Sequence, residues 1–150
     1  MRQTTDILMD IRRIRKMHEC MLKSLCETYQ LTQIEADIIS FLYNNPEKDM
    51  AGDIVELRLL SKGNVSKAVD QLIQKKLVEK RQDLDDRRKA HLSLTPDADG
   101  ILHDIKEINQ AFWDTIFEGF SEEERKQYEL FNIRISENTK TAMKKGGKNE

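Results

Sequence analysis

The chain's 150 residues are the length of one domain, and 25 Lys/Arg against 27 Asp/Glu leave a net charge of −2, which in itself does not point to nucleic acid. A hydrophobic content of 38% beside a charged content of 35% suits helices with one apolar and one solvated face, and no apolar run reaches membrane-spanning length. The N-terminus, MRQTTDILMDIRR, lacks the apolar core and small-residue cleavage site of a signal peptide, so the chain is expected in the cytoplasm.

A long first helix is predicted over residues 6–29, with Ile7, Ile11, Ile14, Met17, Met21, Leu22 and Leu25 on its apolar side and Asp6 as its cap. Cys20 and Cys26 fall on nearly opposite sides of that helix, which argues against a bridge between them. Thr32 and Glu35 form a capping box for a second helix, which carries Ile34, Ile38, Ile39, Phe41 and Leu42 and stops before Pro46. Residues 49–51 are expected to be a short link, or a minimal strand added to a later hairpin. A short third helix with Ile54, Leu57 and Leu60 inward then leads through a turn at 59–63 into a fourth. There Val65, Ala68, Val69, Leu72 and Ile73 make one apolar stripe, while Lys62, Asn64, Ser66, Lys67 and Asp70 face away from it. These two helices define a helix-turn-helix over about residues 52–76.

Residues 77–82 and 90–94 have the pattern of two short strands, joined by the charged loop DLDDRRK. A polar-faced helix followed by a hairpin with arginines at its tip is the layout of a winged helix-turn-helix. Such a unit lays its helix in a major groove of double-stranded DNA and reaches a neighbouring minor groove with the loop. Charge is distributed accordingly: residues 58–91 hold ten Lys/Arg against five Asp/Glu, a local +5, while 15 basic and 22 acidic residues leave −7 elsewhere.

Beyond the hairpin, Thr95, Pro96 and Asp97 signal a helix start, and Ile101, Ile105, Ile108, Phe112 and Ile116 continue it for more than five turns until Gly119. Ser121 and Glu124 form another capping box, opening a last helix with Tyr128, Phe131 and Ile135, and residues 144–150 are expected to be a flexible tail. The fold class is thus mainly α with a minor β component. A winged helix-turn-helix over about residues 32–95 is flanked by helices over about 6–29 and 97–143. Those flanking helices have more apolar surface than a winged domain needs, which points to a two-fold dimer pairing through them. A homodimer of this kind spaces its recognition helices by about 34 Å and requires a pseudo-palindromic operator.

Residues 77–81 (LVEKR), 83–88 (DLDDRR) and 92–95 (LSLT) together resemble the signature of the MarR (multiple antibiotic resistance regulator) family, and residues 60–72 resemble its turn and recognition helix. The resemblance implies a homodimeric transcriptional regulator, usually a repressor. By position it puts Lys62, Asn64, Ser66 and Lys67 against bases or phosphates and Arg87 or Arg88 in the minor groove, with Asp85 or Asp86 holding the loop through an arginine. One departure is Lys76, where the family commonly has glycine before the Leu-Val strand, so this helix end needs a non-glycine residue in a cramped conformation or a different cap.

Members of the family often bind small aromatic anions between the dimer helices and the DNA-binding lobe. His18, Tyr29, Tyr43 and Trp113 are the candidate contacts here. Cys20 and Cys26 raise a redox-sensing alternative, since some relatives use a cysteine in helix 1, but a buried structural thiol is the simpler reading. His103 and Glu107, i,i+4 on the fifth helix, are weak zinc candidates that His18 or Cys20 would have to complete, and no metal or cofactor is expected. With no glycine-rich phosphate loop, no nucleophile with a matched base and three histidines on separate elements, the chain does not read as an enzyme. The competing class is a winged-helix module that binds protein, against which Lys62, Lys67 and the loop arginines tell.

Overall fold

A computed structural model describes residues 1–58 and 61–147, without the side chains of 56–58, and these described residues form six α-helices, one two-stranded hairpin and a 3-10 turn. Helix α1 spans Thr4–Tyr29 and begins earlier than expected: Gln3 is its N-cap, and Asp6 sits one turn in, its carboxylate accepting the Gln3 N–H at 3.3 Å. An acidic group there serves the positive helix end as well as a cap would. Helix α2, Gln33–Asn44, has the expected cap, with Thr32 Oγ1 accepting the Glu35 N–H at 3.2 Å. Helix α3 covers Ala51–Arg58, and α4 covers Lys62–Gln74 with Ser61 as its side-chain cap. The inward positions of Leu57 and Leu60 and the turn through Leu59 lie outside the described residues.

The end of α4 resolves the question raised by the missing glycine. Lys76 adopts φ 61°, in the left-handed region, while its N–H donates to the Ile73 carbonyl and the Leu77 N–H donates to that of Leu72. This is the two-bond helix stop that glycine usually makes, built with a lysine. A side chain there costs about 1–2 kcal/mol of strain, partly offset by the freedom glycine restores to the unfolded chain. Lys76→Gly is therefore expected to raise stability by about 0.5–1 kcal/mol, or roughly 1–4 °C in a thermal melt.

Strands β1 (Val78–Gln82) and β2 (Ala90–Leu94) pair antiparallel, with Val78 opposite Leu94 and Lys80 opposite Leu92. The link before α3 is not a strand. It offers β2 a single backbone bond, the Leu92 N–H donating to the Asp49 carbonyl at 2.8 Å, and Ala51 already begins the helix. After β2 a 3-10 turn at Pro96–Ala98 precedes α5, Asp99–Ile116. Thr95 does not cap it through its hydroxyl, which donates instead to the Lys76 carbonyl at 2.7 Å. Helix α6, Glu122–Gly146, has the reciprocal Ser121/Glu124 cap and continues through Lys144 and Lys145, where a flexible tail was expected.

Two compact units divide the chain, Met1–Phe112 and Trp113–Glu150. In the first, Ile38, Ile39, Ile54, Val65, Leu72 and Val78 are the most deeply buried side chains, joined by Leu22, Leu25, Ile101 and Ile105. In the second, Phe117 is buried against Trp113, Phe120 and Tyr128, at ring separations of 5.5, 5.6 and 5.2 Å. The apolar side of α1 is covered only in its C-terminal half, at Leu22 and Leu25. Ile7, Leu8, Met9, Ile11 and Ile14 are exposed, as are Leu130, Phe131, Ile133 and Ile135 of α6. No helix among the described residues is long and apolar enough to cross a membrane.

Candidate nucleic-acid interface

The apolar stripe of α4 is buried at Val65, Ala68, Val69 and Leu72, so the residues between them must point outward, and Lys62, Asn64, Ser66 and Lys67 are all exposed. The far end of the helix is bolted down. Lys75, its C-cap residue, donates from Nζ to Glu35 Oε2 and to the Gln30 carbonyl, both at 2.6 Å. Glu35 is only 3% exposed, and its partner comes from 40 positions away. The sequence marks Glu35 as a capping-box residue, but its carboxylate goes to Lys75 rather than back to the cap. The pair joins α4 to the corner between α1 and α2.

The loop between the strands is ordered by Asp83, a residue that the sequence reading does not single out. Asp83 Oδ1 accepts the N–H groups of Asp85 and Asp86 at 2.8 and 2.9 Å, and the Asp83 N–H donates to the Lys89 carbonyl. The usable signal is aspartate's habit of accepting from the backbone two residues on at the start of a turn. Asp86 has a lesser role: its Oδ1 accepts the Arg88 N–H at 2.9 Å and lies 3.5 Å from Arg88 Nε. Asp85 enters the network through its backbone N–H. Arg87 and Arg88 are exposed at the tip, Arg88 with 92% of its side chain in solvent, and Leu84 is fully exposed beside them.

Helix and hairpin face a common space. An open recess of about 370 Å³ is lined by Ser66 and Asp70 of α4, Lys80 of β1, and Arg88 and Lys89 of the loop. Behind the hairpin, His91 of β2 lies between two carboxylates, 2.7 Å from Asp49 and 2.7 Å from Asp83. The hydrogen bond from His91, with the N–H groups of Asp86 and Asp85, holds Asp83 well below the usual carboxylate range. Reciprocally, the Asp83 and then the Asp49 hydrogen bond push His91 above its ordinary value.

His18, Tyr29 and Tyr43 lie in the first unit, each against a different partner, and Trp113 belongs to the second. His18 Nε2 is 2.9 Å from Asn109 Oδ1, and its ring meets the Phe112 ring edge-on. The Tyr29 hydroxyl donates to Asp104 at 2.6 Å, which raises its pKa, and Tyr43 lies beneath the Lys106 ammonium. Trp113 stacks on Phe117 in the second unit. Both cysteines are free, Cys20 exposed and Cys26 half-buried. Burial, with Asp37, Glu35 and Glu27 nearby, pushes the Cys26 thiol up, opposite to what a reactive thiolate needs. His103 Nε2 lies 3.4 Å from Glu107 Oε1 with Asp104 adjacent. Both members of the pair are more than two-thirds exposed, and Asp104, the third group within ligand reach, already accepts the Tyr29 hydroxyl.

An outward polar face on an anchored helix, with a basic loop beside it, defines a winged helix-turn-helix of the DNA-binding class. Residues 29–89 match the family model described as MarR family. Among solved structures, a MarR protein from Peptoclostridium difficile has a TM-score of 0.81 at 19% identity, covering 95% of this chain and 94% of that one. A MarR transcriptional regulator from Methanosarcina mazei has a TM-score of 0.77 at 18% identity, covering 92% and 99%. The S. aureus MepR-DNA complex has 0.72 at 18%, covering 91% and 96%. A search of curated proteins finds no match. Residues 29–89 thus match the MarR family, and over nine-tenths of its length the chain has the fold of solved MarR-family proteins.

Proposed function

We propose that the chain is a homodimeric transcriptional repressor that reads a pseudo-palindromic operator. In this reading Lys62, Asn64, Ser66 and Lys67 meet the major groove, and Arg87 and Arg88 meet the minor groove. The observation that carries it is the shared recess, where the outward face of α4 meets Lys80, Arg88 and Lys89. The fold's likeness to the MepR-DNA complex supports it. The exposed apolar residues of α1 and α6 supply a surface for pairing with a second copy, in a protein that works in the cytoplasm.

The test is selection of duplexes from a random-sequence library, then fluorescence anisotropy on the enriched duplex across a salt series. A specific regulator enriches an inverted repeat and loses affinity steeply with salt, by about 0.9 log units per log unit of salt for each phosphate neutralised. Binding no tighter than to random duplex at low salt sinks the proposal and favours a protein-binding module.

Release by an effector belongs to the same reading. A cleft of about 440 Å³ in the first unit is lined by Arg15, His18, Ile34 and Phe112 together with Glu19 and Asp37, and Arg15 is already paired with Glu19 at 3.3 Å. Apolar and aromatic surface beside two carboxylates suits a small aromatic cation rather than an anion. Benzylamine is expected to weaken duplex binding in the wild type and less in His18→Ala; equal weakening in both removes His18 from the effector site.

A further inference from the structure

Three segments meet at His91. On β2, its Nδ1 lies 2.7 Å from Asp49 Oδ1 in the link before α3, and its Nε2 lies 2.7 Å from Asp83 Oδ2 at the root of the wing loop. A neutral imidazole has one N–H, so it donates to one carboxylate and turns a lone pair toward the other. Only the imidazolium serves both, through two charge-assisted bonds. Asp83 uses its other oxygen, Oδ1, for the Asp85 and Asp86 N–H groups, so one carboxylate both grips His91 and shapes the loop that bears Arg87 and Arg88.

We propose that His91 is a proton-loaded latch: charged, it ties the wing to the segment before the helix-turn-helix in the DNA-binding posture, and its deprotonation frees the wing and weakens binding. This rests on the DNA-binding reading above. His91 is a positioning residue, acting through Asp83 on the arginines. No further group is required, since the proton leaves to water.

The remaining charged groups around His91 do not reverse this. Arg81 is its cross-strand partner, and Glu79 and Lys80 of β1 line the same space, where α4 contributes only Ile73. Those three are exposed and screened, whereas Asp49 and Asp83 are in hydrogen-bond contact. With the folded His91 value raised, the latch is fully closed below about pH 6.5, the ordinary histidine value, and opens as pH rises through the folded one. With Asp83 lowered, its contribution is complete above the ordinary carboxylate value and is lost only as pH falls through the depressed one.

The experiment uses the full chain and a duplex enriched from a random library at about pH 6, a pH at which the imidazolium is populated. Anisotropy at constant ionic strength gives affinity from about pH 6 to about pH 9 for wild type and His91→Gln, and NMR follows the His91 ring over the same range. Wild-type affinity is expected to fall about tenfold or more relative to His91→Gln, whose profile stays flat, with a midpoint matching the ring titration above about pH 6.5. Asp49→Asn is expected to move both midpoints down together, and it carries the test alone if His91→Gln does not fold. Parallel profiles for wild type and variant, or a ring titrating at or below its ordinary value, overturn the latch alone. A selection that enriches no duplex at any pH overturns the DNA-binding reading, and the latch with it.

Discussion

Lys75→Met is expected to destabilise the protein by about 3 kcal/mol, which for a chain of this size lowers the melting temperature by about 6–12 °C. The reason lies in what it leaves behind. Glu35 is 3% exposed, and its carboxylate is answered by Lys75 Nζ at 2.6 Å. Methionine matches the lysine stem in volume but strands a buried carboxylate and releases the Gln30 carbonyl at the end of α1. Because the Lys75 side chain is 31% exposed, the figure is set at the low end of the range for breaking a buried pair. The double variant Glu35→Gln/Lys75→Met is expected to recover most of the loss, since no charge is then left unpaired. Urea unfolding of the three proteins decides it: a double variant as unstable as the single means the carboxylate is not the cause.

Arg87→Ala/Arg88→Ala is expected to weaken binding to an enriched duplex by about 30- to 1000-fold while leaving the melting temperature unchanged. Both side chains are exposed, and the loop is held by Asp83 and backbone groups rather than by the arginines. Their removal therefore subtracts contacts to DNA without loosening the fold. The two arginines also differ: Arg88 lies near Asp86, with 3.5 Å between Nε and Oδ1, whereas Arg87 enters the loop network through its carbonyl, which accepts from Gln82 Nε2 at 2.8 Å. Paired single variants measured over a salt series separate their roles. An arginine that only neutralises a phosphate reduces the salt slope by about one and weakens all duplexes alike, whereas one that reads bases relaxes sequence preference at one position. An unchanged affinity in the double variant removes the wing from the interface.

Most helix starts are legible from local chemistry, because a cap involves residues three apart. Thr32 and Ser121 each accept the N–H expected of them. The buried stripe of α4 is legible for the same reason, as a 3.6-residue rhythm needs no knowledge of the rest of the fold. What local pattern cannot carry is a partner brought in by folding. Glu35 and Lys75 are 40 positions apart, His91 and Asp49 are 42 apart, and nothing in either neighbourhood announces the other. Apolar rhythm has its own limit: Ile7, Ile11 and Ile14 mark one side of α1 as well as Leu22 and Leu25 do, yet only the last two are covered within the chain. A stripe reports that a face seeks cover, not which molecule supplies it. At Lys76 local pattern leaves two alternatives, a non-glycine residue in a cramped conformation or a different cap, and the backbone takes the first.

The fastening of α4 at one end makes that helix a lever. Its fulcrum is Lys75, fixed to the α1–α2 corner, with the helix stop at Leu77 immediately behind it. At about 1.5 Å per residue, Lys62 lies some 20 Å along the arm, so a tilt of about 10° about the fulcrum sweeps it by roughly 3 Å, a full hydrogen-bond length. Ser66 and Lys67, nearer the middle, travel about two-thirds as far or less on the same rise. Small strains transmitted to the corner between α1 and α2 are thus amplified most at the first turn of α4, where Lys62 and Asn64 stand.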